Sequence, residues 1–214
     1  EIGRGNIGLQ AAAQAAPDGY TMVMGQTSNL AINPALYAKL PYDPVRDYAP
    51  ISLLANAPYL LVVHPALPAK SVAELVALGK QKTQNLSFGT SGSSTPHRLA
   101  GEMLQKYGGF TMTHVPYKGT AASVNDLLGG QIPLLFGAPT AVEPLATAGK
   151  IKLLGVTSEK RYPLLPDVPA ISETFPQFKI ISYIGFMLPK NTPKPVIATL
   201  NTEVNQILAS DSMR

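Results

Sequence analysis

One junction organises this sequence: Leu86-Ser-Phe-Gly-Thr-Ser-Gly-Ser-Ser-Thr-Pro96. Leu86–Phe88 is predicted to be a short strand, and Pro96 is predicted to occupy the first position of a helix, where proline is favoured. The intervening Gly89–Thr95 turn consists of glycine and hydroxyl residues, more of them than a single helix cap requires. We therefore predict that the backbone of this turn wraps a ligand.

Three further junctions follow the same order of strand, glycine, small or hydroxyl residues, and helix. They are Gly25–Asn29, Val115–Thr120 and Gly137–Thr140. In a parallel sheet such junctions meet at the carboxyl ends of the strands, where open α/β folds bind ligands. Helix N-termini carry unpaired N–H groups and favour an anion there. Each junction taken alone is more simply explained as an ordinary N-cap.

Strands and helices alternate along the 214 residues, which predicts an α/β protein whose sheets are flanked by helices on both faces. The predicted strands are Tyr20–Met24, one or two strands within Ile51–His64 interrupted at Pro58, Leu86–Phe88, Thr111–Val115, Ile132–Phe136, Ile151–Thr157 and Ile180–Leu188. The predicted helices are Asn6–Ala16, one from near Ser28 or Asn29, one from Ser71 to about Lys80, one from Thr95-Pro96 to Gly108-Gly109, Ser123–Leu128, Thr140–Ala148 and one from about Pro195.

Local patterns place caps and buried faces on three of these helices. Ser71 and Glu74 form an S-x-x-E capping-box pattern. Leu99 and Met103 are spaced i, i+4, as expected of a helix. The last helix carries one apolar stripe, made of Val196, Leu200, Val204, Ile207 and Leu208.

Composition excludes several classes of protein. The net charge is only +4 and the five arginines are scattered, so nucleic-acid binding has little support. The sequence has no cysteine, which excludes disulfides, thiolate metal sites and cysteine nucleophiles. Its longest apolar runs fall far short of the roughly 20 residues that span a bilayer.

A catalytic interpretation of the Gly89–Thr95 turn is incomplete. Gly89-Thr-Ser-Gly-Ser93 is comparable to the G-x-S-x-G nucleophile elbow but ends in serine instead of glycine. His97 follows Ser94 by three residues, which predicts that they are close, yet no carboxylate in a recognisable motif could orient it. We interpret His97 as a helix-start donor or a packing residue. A hydrolase or acyltransferase that uses Ser91 or Ser94 with His97 is the alternative function.

The other histidines and glycine pairs indicate no cofactor. His64 and His114 lie near strand ends without metal-ligand spacing. Neither Gly3-x-Gly5 nor Gly89-x-x-Gly92 completes a dinucleotide fingerprint. We therefore predict no cofactor, no metal site and no catalytic residue.

Several motifs, in order along nearly the whole chain, resemble those of one family. The sequence is similar to the periplasmic solute-binding receptors of tripartite tricarboxylate transporters, the Bug family. The similar motifs are Gly5-Asn-Ile-Gly8, Ala16-Pro-Asp-Gly-Tyr-Thr21, Leu40-Pro-Tyr-Asp-Pro-Val-Arg-Asp47 with Pro50-Ile51, Val115-Pro-Tyr-Lys-Gly119 and Arg161-Tyr-Pro-Leu-Leu-Pro-Asp-Val-Pro169.

The resemblance implies a two-lobed, type II periplasmic-binding-protein fold. Lobe one would hold residues 1–60 and 181–214, without the first strand and the final helix of the family, and lobe two would hold residues 61–180. Crossing strands near Tyr59–Val63 and Ile180–Phe186 would form the hinge. A signal segment is not part of this sequence, and the resemblance implies a periplasmic protein.

The resemblance also implies that a small carboxylate is captured in an interlobe cleft by backbone amides and hydroxyls. The positions that match are Thr27, Ser28, Ser91, Gly92, Ser93, Ser94, Thr95, His97, Gly119, Thr120 and Pro139. A dicarboxylate, an amino acid or a pyridine carboxylate could be the ligand. The expected partners are the membrane subunits of a tripartite transporter or a sensor kinase, and the expected state is a monomer.

Overall fold

The computed structural model describes residues 5–81 and 85–213. The helices are α1 Asn6–Ala13, α2 Asn33–Leu36, α3 Val72–Lys80, α4 Pro96–Gly108, α5 Thr120–Leu128, α6 Pro139–Thr147 and α7 Lys194–Ala209. The strands are β1 Val23–Gln26, β2 Tyr48–Pro58, β3 Leu60–Val63, β4 Ser87–Thr90, β5 Thr113–Pro116, β6 Leu134–Gly137, β7 Lys152–Val156 and β8 Ile181–Pro189. A π-helical turn, Ser28–Ile32, precedes α2, and 3-10 turns cover Ile171–Glu173 and Asp211–Met213. The described helices include none that is both long and apolar enough to cross a membrane.

The chain divides into two compact units. One unit holds Glu1–Asn56 with Ser182–Arg214, and the other holds Ala57–Ile181. The chain leaves the first unit near the end of β2 and returns to it at the start of β8. Each unit has its own sheet order, so the two are described separately.

The second unit contains a five-stranded mixed sheet in the order β5-β4-β6-β3-β7. β4 runs parallel to both β5 and β6, whereas β3 is antiparallel to β6 and β7. β4, β5 and β6 therefore end at the same edge of the sheet, and each of them is followed by a helix. The expected alignment of junctions is confirmed for these three strands.

Strand β3 separates the two cores of this unit. All four of its residues are fully buried, as expected of a continuous apolar run in a sheet covered on both sides. Leu61 and Val63 belong to a cluster with Leu75 of α3 and Leu104 of α4, on one face of the sheet. The intervening Leu60 and Val62 face the opposite cluster, which includes Leu127 of α5 and Val142 of α6. The prediction of helices on both faces is confirmed.

The first unit contains a three-stranded sheet in the order β1-β8-β2. Its core includes Leu9, Tyr42, Tyr48 and Met187, and the Tyr48 hydroxyl donates to the carbonyl of Leu9 at 2.7 Å. β1 is antiparallel to β8. The junction that follows β1 therefore lies in a different sheet from the other three, and the expectation of four aligned junctions is wrong on this point.

The stripe predicted on α7 lines a groove rather than a closed core. Val204, Ile207 and Leu208 border an apolar groove of about 380 Å³ together with Met24 and Phe186 of the same unit. None of the α7 residues is buried.

The ends of α3 and α4 are those that the sequence predicts, and Gly101 lies on the buried face of α4. Ser71 Oγ accepts from the Glu74 amide at 3.1 Å, while the Glu74 carboxylate accepts from the amide of Lys70 at 2.7 Å, one residue before the predicted partner. The Leu99 side chain is 44% exposed. The buried face of α4 includes Gly101, where α4 lies so close to β4 that a Cβ would overlap the Phe88 ring.

Gly101→Ala tests this close approach. A Cβ on Gly101 would overlap the buried ring of Phe88, so we expect the free energy of unfolding to fall by about 1–2 kcal/mol although alanine favours helix. Gly8→Ala is the matched control, because Gly8 is exposed in α1 with open space around its Cβ, and it should gain up to about 1 kcal/mol. Urea unfolding of both variants makes the comparison. Equal stabilisation by the two substitutions would contradict the packing of α4 on β4.

Candidate functional site

Three helix N-termini lie at one edge of the five-stranded sheet. β4 pairs in parallel with β5 and β6, and α4, α5 and α6 begin directly beyond these strands. The amide of Tyr117 donates to the carbonyl of Thr90 at 2.9 Å, which continues the β4–β5 pairing into the turns. The predicted site residues at this edge are Ser91, Gly92, Ser93, Ser94, Thr95, His97, Gly119, Thr120 and Pro139.

Close packing fixes the start of the Gly89–Thr95 turn. A Cβ on Gly89 would overlap Ile132 and would lie 3.3 Å from the Tyr117 ring and 3.4 Å from Ser123 Cβ. Only glycine lets β4 approach its neighbours this closely. The turn therefore leaves the sheet from a defined position.

Two threonine hydroxyls hold the peptide group in the middle of the turn. The carbonyl of Gly92 accepts from Thr90 Oγ1 at 3.0 Å and from Thr95 Oγ1 at 2.8 Å, and the amide of Gly92 donates to Thr90 Oγ1 at 3.2 Å. Gly92 has a φ of 138°, a conformation that favours glycine. The N–H of Ser93 belongs to the same trans peptide as the Gly92 carbonyl and points the opposite way. The carbonyl thus faces into the turn and the Ser93 N–H faces out of it.

The turn leaves donors available. Among the described residues, the amides of Ser93 and Ser94 donate to no oxygen, and the Ser94 hydroxyl makes no hydrogen bond. At the neighbouring α5, Gly119 has a φ of 116° and open space where a Cβ would be. Unpaired N–H groups at helix starts attract negative charge. The chemistry of this edge therefore suits an anion.

His97 packs inside the turn as a neutral ring. Its Nδ1 lies 3.0 Å from Ser91 Oγ, and its ring centroid lies 4.2 Å from that of Tyr59. Burial lowers the pKa of His97 from 6.5 to about 4, so the imidazole is uncharged at neutral pH. The sequence predicts Ser94 as the serine close to His97, but the hydroxyl that the ring reaches is that of Ser91, because the turn folds Ser91 back towards the start of α4.

The Ser91–His97 pair lacks the third group of a hydrolytic triad. Within residues 5–81 and 85–213, no carboxylate hydrogen-bonds His97. A base with a pKa near 4 is also poorly matched to proton transfer at neutral pH. The same residues contain no cluster of histidine and carboxylate side chains that could hold a metal ion. Among the described residues, the Ser91–His97 pair therefore does not form a hydrolytic triad.

Sequence reasoning included Thr90 in this turn but missed His114 and its contact with Thr90. His114 Nε2 lies 2.7 Å from Thr90 Oγ1. The register pairs His114 with Phe88, and Thr90 lies two residues further along β4, so all three side chains share one face of the sheet. That strand alternation was the available signal, but it becomes informative only once β4 is known to pair with β5.

Thr27 and Ser28 belong to the other unit, at the start of the π-helical turn after β1. Thr27 Oγ1 accepts from the amide of Tyr183 on β8 at 2.8 Å. The Asn29 side chain accepts from the amide of Gln26 at 2.8 Å and fixes the turn. Contributions of Thr27 and Ser28 to ligand binding stay a prediction.

Known structures with the same fold define the class of protein. The R. palustris protein Rpa4515 with adipate has a TM-score of 0.88 and 36% identity, over 98% of this chain and 70% of that one. The periplasmic binding protein BugD has a TM-score of 0.84 and 33% identity, with coverage of 98% and 70%. MatC from Rhodopseudomonas palustris with bound malate has a TM-score of 0.85 and 29% identity, with coverage of 98% and 72%. The fold is that of the periplasmic binding proteins.

The family itself follows from the sequence matches. The family described as "Tripartite tricarboxylate transporter family receptor" matches residues 3–214, and the chain belongs to it. BugT of Bordetella pertussis is 31% identical over 211 residues, which cover 98% of this chain and 65% of that protein. A UPF0065 protein of Pseudomonas sp. strain P51 is 33% identical over 208 residues, with coverage of 96% and 62%. The chain thus spans less than two thirds of the length of these relatives.

His97 makes the stability of the fold depend on pH. The unfolded chain takes up a proton below about pH 6.5, whereas the folded chain resists it until about pH 4. The stabilising contribution is therefore complete above pH 6.5 and is lost as the pH falls to 4, a loss of about 3 kcal/mol. In His97→Phe, which keeps a ring against Tyr59, we expect the fall in unfolding free energy between pH 7 and pH 4 to be smaller by about this amount.

Urea unfolding at pH 7, 5.5 and 4 measures this difference. Leu99→Ala is the control, since Leu99 is an exposed residue of the same helix, and it should retain the full pH dependence. An identical pH profile for wild type and His97→Phe would contradict the burial of a neutral His97.

Proposed function

We propose that this chain is an extracytoplasmic solute-binding receptor that captures a small carboxylate. The Ser93 and Ser94 amides and the N-termini of α5 and α6 hold the carboxylate. The observation that carries the proposal is the double capture of the Gly92 carbonyl by Thr90 and Thr95. It removes the repulsive oxygen from the path of an anion and turns the Ser93 N–H towards it.

Backbone dipoles rather than guanidinium groups supply the attraction in this proposal. The three described arginines each pair with a carboxylate of their own unit: Arg46 with Asp47, Arg98 with Glu102, and Arg161 with Glu173. Arg98 also donates from Nη1 to the carbonyl of Ser93 at 3.3 Å, and the Ser94 N–H of the same trans peptide points the opposite way. The net charge of +4 adds a weak, long-range attraction for anions.

The relatives narrow the class of ligand to be tested first. Rpa4515 is seen with adipate and MatC with malate, and both ligands are dicarboxylates. We propose a dicarboxylate as the first choice, with amino acids and pyridine carboxylates next. The proposed place is the periplasm, and the proposed role is to deliver the ligand, as a monomer, to the membrane subunits of a tripartite transporter or to a sensor kinase.

Isothermal titration of the chain tests the proposal directly. Adipate and malate are the probes, and the uncharged diamide of adipate is the matched control for shape without charge. We expect heat from at least one dicarboxylate and none from the diamide. A folded chain, verified by circular dichroism, that gives no heat with dicarboxylates, amino acids or pyridine carboxylates would contradict the receptor function.

Thr95→Val tests the carbonyl capture itself. The substitution removes one of the two hydroxyls on Gly92 O and the side-chain cap of α4, so Thr90 alone holds the peptide and the orientation of the Ser93 N–H is less fixed. We expect dicarboxylate affinity to fall about tenfold, which corresponds to about 1.4 kcal/mol. Thr147→Val removes a comparable hydroxyl-to-carbonyl bond at the far end of α6 and should leave affinity unchanged. Equal affinities for the two variants would show that the Gly92 peptide is not part of the site.

A further inference from the structure

The Thr90 hydroxyl lies at the centre of a small network below the turn. Its Oγ1 is 3.2 Å from the Gly92 amide nitrogen, 3.0 Å from the Gly92 carbonyl oxygen and 2.7 Å from His114 Nε2. A hydroxyl has one hydrogen to donate and two lone pairs to accept with. Three partners therefore use its whole capacity, and the direction of each bond can be assigned.

Only one assignment avoids a repulsive contact. The Gly92 N–H must donate to Thr90 Oγ1, which uses the first lone pair. If the hydroxyl hydrogen went to His114, a lone pair of Thr90 would face the Gly92 carbonyl at 3.0 Å, which is repulsive. If the hydrogen goes to the Gly92 carbonyl, His114 Nε2 must carry a hydrogen and donate to the second lone pair. The imidazole then decides where the Thr90 hydrogen points.

The surroundings of His114 are compatible with a single ring hydrogen. The ring is half-buried, with its centroid 5.2 Å from that of Phe88. Burial and, to a lesser degree, the charge of Arg98 lower the pKa of His114, while Glu102 acts in the opposite direction. A neutral imidazole has one N–H, so its placement on Nε2 or Nδ1 is a real choice.

We propose that His114 is a positioning residue for the anion-binding turn: its Nε2–H donates to Thr90, which commits the Thr90 hydrogen to the Gly92 carbonyl and holds the Ser93 N–H outward. The consequence for ligand affinity rests on the proposed function. The assignment of the hydrogen and its effect on the turn do not depend on it.

The ring hydrogen is observed directly by long-range ¹H–¹⁵N correlation of the histidine side chains at pH 7.5. We expect His114 to show a protonated Nε2 and an unprotonated Nδ1. A protonated Nδ1 with a bare Nε2 would overturn the proposal, whatever the chain binds. In Thr90→Val, amide exchange at Gly92 should accelerate at least tenfold and the Ser93 amide resonance should move. An unchanged Gly92 exchange rate would also overturn it.

Two substitutions at His114 distinguish the effect of the donated hydrogen from the effect of ring packing. His114→Gln keeps an N–H near the position of Nε2, whereas His114→Phe keeps the ring shape and removes the donor. For adipate, we expect His114→Phe to weaken affinity about three- to tenfold, the effect of one neutral hydrogen bond, and His114→Gln to stay within about twofold of wild type. Thr113→Val, an exposed change at the adjacent residue of β5, is the control and should leave affinity unchanged.

The same variants report on the turn without ligand. The Ser93 amide resonance should move in His114→Phe in the direction seen for Thr90→Val and should stay near the wild-type position in His114→Gln. A shift in His114→Gln without a shift in His114→Phe would show that ring packing, not the donated hydrogen, supports the turn. If adipate binds to none of the proteins while these resonances behave as expected, the proposed function fails and the assignment of His114 stands.

Discussion

The complete burial of β3 is the constraint on which the second unit depends. Its four residues lie between β6 and β7, each of which is antiparallel to β3. The side chains of β3 point alternately to the two faces of the sheet and so belong to two separate apolar clusters. A slip of one residue would exchange the side chains of the two cores, so the register is strongly specified. Because β6 is fixed by β3, and β4 and β5 follow β6 in parallel, the three helix starts are brought to one edge of the sheet.

At that edge two threonine hydroxyls bond to the backbone of the turn. Serine and threonine hydroxyls are expected from the sequence to be additional donors to a ligand, but those of Thr90 and Thr95 both donate to the carbonyl of Gly92. Burying an amide that is oriented in this way costs little desolvation free energy, whereas burying a guanidinium without its partner costs several kcal/mol. A site built from oriented amides therefore suits a receptor that must also release its ligand.

Local signals predicted the parts of the site that are local in the chain. Thr95 caps α4, Pro96 occupies its first position, and Gly109 ends it in a left-handed conformation, as the sequence indicates. The i, i+4 spacing of Leu99 and Met103 does not tell which face of α4 packs on the sheet; that face carries Gly101, whereas Leu99 is exposed. The pairing of β1 with β8, about 160 residues apart, is likewise invisible to local patterns.

The contact of His114 with Thr90 depends on such a nonlocal step. Twenty-four residues separate the two side chains, and only the parallel register of β4 and β5 makes them neighbours. His97 reaches Ser91 through the turn itself, six residues away. His97 thus contacts the turn through local geometry, and His114 contacts it through the pairing of the sheet. Burial favours the neutral form of both imidazoles. Neither ring adds a formal charge, so the anion binding that we propose for this edge rests on the direction of its peptide groups.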